Sequence, residues 1–116
     1  MAIQDNLDKE QKWVFVGEAT GGDMQLQLPL DFEENKAEIF INVALDNNVV
    51  YVIPIQIVHV VYVSRVYRSG FYANNATNGM AAVRITEDGK IYLYSAYLNG
   101  NDVKNSTKIY VRYKKH

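Results

Sequence analysis

No cysteine occurs in the 116 residues. That excludes a disulfide framework, thiolate nucleophiles and cysteine-based zinc sites, and it leaves the compartment open. Histidine is nearly absent, with His59 and the terminal His116 alone, so no histidine-rich metal set can form. Proline occurs only at Pro29 and Pro54 and glycine seven times, too few for a collagen-like or low-complexity chain. No uninterrupted apolar stretch approaches the ~20 residues a membrane-crossing helix needs, and no membrane insertion is expected. Met1 to Glu10 lacks a basic segment followed by an apolar one, so no signal peptide is expected. A net charge of −1 carries no basic excess and argues against a dedicated nucleic-acid binder.

The chain that remains is organised around Val49–Val63, interrupted only by Pro54, Gln56 and His59. Its β-branched residues favour a pleated surface. Pro54 would break a helix, so two strands are read, about 49–53 and 55–63, joined by a bend at Pro54. Proline lacks the N–H of a central ladder, so the chain there either changes sheet or runs along an edge. The run is apolar at odd and even positions alike, and both faces are expected to be covered. His59 then reads as a packed core residue.

Elsewhere apolar and polar residues alternate as in half-buried strands. Residues 13–19 form the first. Met24, Leu26, Leu28 and Leu30 share one face of the second, and Ala37, Ile39, Ile41, Val43 and Leu45 one face of the third. Further strands are read at about 65–72, with Gly70 as a bulge, then at 79–86, 91–98 and 107–113. Asp46-Asn47-Asn48, Asp88-Gly89 and Asn99-Gly100-Asn101-Asp102 are turn signals, and residues 73–78 read as an exposed loop. Eight or nine short strands without a convincing helix predict an all-β fold, an antiparallel β-sandwich of jelly-roll-like type. Residues 1–11 are a polar N-terminal arm, and residues 12–116 a single domain.

No catalytic motif is present, and the chain reads as non-enzymatic. Ser64, Ser69, Ser95 and Ser106 lie outside any nucleophile-elbow context. Asp31, Glu33 and Glu34 lack calcium-loop spacing, so neither a metal nor another cofactor is expected. The Asn75 and Asn105 sequons matter only in a eukaryotic secretory route. Charge is segregated: residues 1–58 carry −7 and residues 59–116 carry +6. Pairing within one chain explains this, and complementary contacts between copies are the alternative.

The informative surplus is tyrosine. All nine lie from Tyr51 onward, interspersed with Arg65, Arg68, Arg84 and Arg112. Flat aromatic faces beside arginine suit protein interfaces and sugar rings, while strand propensity alone is the plain explanation. The candidate ligand-binding set is Tyr67, Tyr72, Tyr92, Tyr94, Arg84 and Arg112.

Residues 97–113, Tyr-Leu-Asn-Gly-Asn-Asp-Val-Lys-Asn-Ser-Thr-Lys-Ile-Tyr-Val-Arg-Tyr, resemble an ending found in small β-rich tail, baseplate and fibre domains of bacteriophages and prophages of gut bacteria. There a Leu-Asn-Gly-x-Asp-Val turn precedes a Ser/Thr stretch and a Val-Tyr-Tyr-Arg-like strand. Arg68-Ser69-Gly70-Phe71-Tyr72 and Leu28-Pro29-Leu30 look similar as well. Lys104 stands where threonine is expected, and the last strand reads Val-Arg-Tyr-Lys. The resemblance implies a virion-associated structural or host-attachment module, a homo-oligomer with a trimer favoured. Its partners would be other virion proteins and a host cell-surface glycan. Its location would be the virion, or the cytoplasm of a lysogenic bacterium before assembly. A monomeric carbohydrate-binding domain is the alternative.

Overall fold

The structure, a computed structural model, describes residues 13–29 and 36–115. The arm at 1–11, the acidic loop residues Asp31, Glu33 and Glu34, and Leu30 lie outside them. Among the described residues nine strands form two antiparallel sheets packed face to face, an all-β antiparallel sandwich as the alternation predicts. They are β1 (Val14–Thr20), β2 (Leu26–Gln27), β3 (Ala37–Ala44), β4 (Val52–Ile57), β5 (Arg65–Asn74), β6 (Thr77–Ile85), β7 (Lys90–Leu98), β8 (Asn101–Asp102) and β9 (Lys108–Lys115). One sheet has the order β1-β9-β3-β4; the other is β2-β7-β6-β5, with β8 beside β7. The chain crosses between sheets before and after β2, between β4 and β5, and before β9.

Alternation explains the core. Ile39, Ile41 and Val43 of β3 and Ile109 and Val111 of β9 face Val83, Ile85, Ile91 and Leu93 of β6 and β7, all fully buried. Each such side chain contributes about 1.5–3 kcal/mol by leaving water. The charge halves pair within the chain, Lys108 with Glu18 at 3.7 Å and Lys114 with the buried Glu38 at 3.5 Å. Gln56 also donates a hydrogen bond to Glu38.

The central run departs from its sequence reading. It makes one strand, β4, that passes straight through Pro54 along the sheet edge. Burial alternates: Ile53, Ile55 and Ile57 are inside, while Val52, Pro54 and Gln56 are outside. Only one face is covered, and Val49 and Val50 in the preceding turn are 88% and 76% exposed. His59 follows the strand and is exposed rather than packed in the core, because the chain has already left the sheet to cross toward β5.

Other boundaries shift for local reasons. β2 keeps two residues instead of the seven expected, since it pairs only with the start of β7; Leu28 is buried and Met24 exposed. The expected 73–78 loop shrinks to a tight turn at Asn75-Ala76 between β5 and β6. Gly70 is not a bulge. A Cβ there would lie 2.5 Å from the Gly79 carbonyl oxygen, so its role is close backbone approach. Asp46, Asn47 and Asn99 take positive φ, as does Gly89, which bears out the turn assignments. Beside Gly89, the Thr86 hydroxyl holds the Asp88 carboxyl below its usual range.

One buried hydroxyl ties the two 3-10 turns, Leu45–Asn47 and Lys104–Ser106, to each other. Thr107 Oγ1 accepts the Asp46 N–H at 3.0 Å and donates to the Val103 carbonyl at 2.7 Å. Thr107→Val keeps the shape and removes both bonds, leaving a part-buried N–H without its acceptor. Chemical denaturation is expected to show a loss of about 1–3 kcal/mol; a variant as stable as the parent would show the clip to be dispensable.

Candidate functional site

The outer face of the five-stranded sheet is built from three registered strands. Arg68 of β5 lies beside Ala82 of β6, which lies beside Ser95 of β7. On one side of this low row stand Gly70, Met80 and Tyr97; on the other stand Val66, Arg84 and Tyr92. A bulge near Tyr94 shifts the β6–β7 register between Ala82 and Val83. It allows Tyr94 and Tyr97 both to reach the surface while Leu93 and Ala96 stay buried. The Arg84 guanidinium is 6.0 Å from the Tyr94 ring centroid, and its Nε donates to Ser64 Oγ at 3.0 Å. Tyr72 is 71% exposed, its hydroxyl donating to Asn75 Oδ1 at 2.7 Å.

Four of the six sequence-chosen residues, Tyr72, Tyr92, Tyr94 and Arg84, therefore share one face. Two do not. Tyr67 points inward and packs against the core, across from the buried Val83, because β5 is an edge strand whose odd residues line the sandwich interior. Arg112 lies on the outer face of the other sheet, in register with Phe15 on one side and Phe40 on the other. Its guanidinium sits 5.3 Å from the Phe40 ring centroid, and Phe15 is 58% exposed. The site residues that sequence reasoning missed are Met80 and Tyr97. A signal for Tyr97 was present: small or aliphatic positions run odd through Ile91 and Leu93, then even through Ala96 and Leu98.

A second feature opens between the two edge strands β4 and β5. It is a cleft of about 560 Å³ lined by Pro54, Gln56, Arg65, Tyr67, Arg68 and Ser69, among others. The Tyr67 hydroxyl oxygen is buried without a hydrogen-bond partner. Among the described residues, no three histidine, cysteine or acidic side chains are placed to hold a metal ion, and no helix is long and apolar enough to cross a membrane. The chain matches no family model, no curated protein and no solved structure.

Proposed function

We propose that this chain is a non-enzymatic structural or host-attachment module of a phage or prophage particle, acting through multivalent surface contacts. The observation that carries this reading is the cluster of Tyr72, Met80, Arg84, Tyr94 and Tyr97 on one solvent-facing sheet. Tyrosine and arginine are the side chains that dominate contact surfaces, and most large aromatics of a monomeric domain would be turned inward. The valines left uncovered along β4 (Val49, Val50, Val52 and Val58) supply an apolar strip for a homo-oligomer, with a trimer favoured. Such an assembly would present several tyrosine faces to one host surface, and linked copies raise avidity by about 10²–10⁴ without new contacts.

The test is retention on host-type cells or wall glycans, with solution mass measured by light scattering. The combined Tyr94→Ala and Tyr97→Ala variant is expected to lose about tenfold or more in retention while keeping its unfolding midpoint. Unchanged retention would end this assignment of the contact face. A second reading, a monomeric carbohydrate-binding domain, is favoured by the low Ala82–Ser95 row between the aromatics. A strict monomer at high concentration that still binds a glycan would select it.

A further inference from the structure

We propose that the cleft between β4 and β5 is a binding site for the carboxylate group of an acidic saccharide. Two observations converge there. Arg65 and Arg68 both line the cleft, and among the described residues neither forms an ion pair. The Lys108 and Lys114 ammoniums, by contrast, have carboxylate partners. The Arg65 guanidinium lies over the Tyr67 ring, 5.8 Å from its centroid, a contact that takes up none of its N–H donors and leaves them for a carboxylate. A carboxylate in the cleft would accept from the Arg65 and Arg68 guanidiniums together.

The remaining lining identifies the rest of the ligand. Gln56 and Ser69 offer amide and hydroxyl groups, and Pro54, Ile55 and Val66 offer apolar surface. Hydroxyls on an otherwise C–H-faced ring match that mixture. The volume, about 560 Å³, lies in the range of small-ligand pockets, about 300–1,000 Å³. An extended acidic peptide is a poorer fit, because Pro54 interrupts the row of edge N–H groups that strand addition to the β4 wall would use. The cleft shares Val66 and Arg68 with the margin of the tyrosine face but none of Tyr72, Tyr94 and Tyr97, so substitutions at those tyrosines and at Arg65 let each fail alone.

The experiment is an amide-shift titration of the full chain with glucuronic acid at low ionic strength, with glucose, acetate and a short oligoglutamate in parallel. Glucuronate is expected to move residues 54–56 and 65–69. The combined Arg65→Gln and Arg68→Gln variant should bind at least tenfold more weakly, whereas Tyr94→Ala should bind as the parent does. Absence of shifts in the cleft would overturn the proposal, as would equal shifts with glucose or acetate. Tighter binding of oligoglutamate would also overturn it, in favour of a peptide site.

Discussion

Leu45→Ala is expected to cost about 2–5 kcal/mol of unfolding free energy, the largest loss of any single change considered. Leu45 has no exposed surface and begins the turn that leaves β3. There it closes one end of the sandwich. A Cβ placed on Gly79 would lie 2.7 Å from Leu45 Cδ1 and 2.5 Å from Phe71 Cε1, so leucine, phenylalanine and glycine backbone are already in tight contact. The Phe71 ring stacks in turn on Tyr51 at 5.9 Å with an interplanar angle of 5°. Removing the leucine side chain opens a cavity bounded by two sheets, a ring pair and a registered β5–β6 ladder, none of which can collapse without breaking strand pairing. Domains of this size are stable by roughly 5–15 kcal/mol, so the loss is a large fraction of the total. Urea denaturation measures it, with Val50→Ala as control. Val50 is as apolar in the sequence but exposed, and its change should stay within about 0.5 kcal/mol. Equal effects at the two positions would contradict the placement of the core.

Pro54→Val is expected to increase self-association by roughly tenfold to a hundredfold. The phase of the β3–β4 ladder decides this. The Leu45 N–H donates to the Tyr51 carbonyl at 2.9 Å, and in the same register Ile53, Ile55 and Ile57 pair toward β3. Val52, Pro54 and Gln56 therefore direct their backbone groups to the free edge. Pro54 leaves that edge without an N–H at its midpoint and places a ring where another strand would approach, a known way of blunting edge strands. Valine restores the donor. In a two-fold antiparallel pairing of β4 with its copy, two new hydrogen bonds form, each worth about 0.5–1.5 kcal/mol net, and 1.4 kcal/mol is tenfold in an association constant. Sedimentation over a range of concentrations would reveal it, and an unchanged mass distribution would show that the exposed valines, not the edge donors, limit association. Pro54 thus opposes open-ended pairing through the edge while leaving the valine-bearing face free for a closed oligomer.

The cleft and the tyrosine face differ in how far they were legible beforehand. Alternation around Arg84 and Tyr92 placed those two side chains on a common parity with their neighbours, and the surplus of tyrosine beside arginine drew attention to the strands that carry them. Tyr67 was separable from Arg68, since adjacent residues in a strand point to opposite faces. Which of the two faced inward was not legible, because Val66, Tyr67, Arg68 and Ser69 mix polar and apolar character on both sides. Burial of the Tyr67 hydroxyl follows from the packing of Tyr67 against the core.

What the sequence determined by itself was local. Period-two alternation in Ala37–Leu45 and Gly79–Ile85 specified strands and their inward faces, because burying one side of a pleat requires it. Asp46-Asn47, Asp88-Gly89 and Asn99-Gly100 specified turns, because few residue types tolerate positive φ. Pro54 restricted its stretch to an edge or a change of sheet, because it lacks the donor an interior strand needs. Only the tertiary structure decided which strands share a sheet, and so that Arg112 stands apart from Tyr92 and Tyr94. It also decided that Val49–Val58 is covered on one side alone, and that β4 and β5 leave a cleft between them. Those outcomes depend on pairing between residues distant in the chain, and neither residue period nor local propensity encodes which distant strand becomes the neighbour.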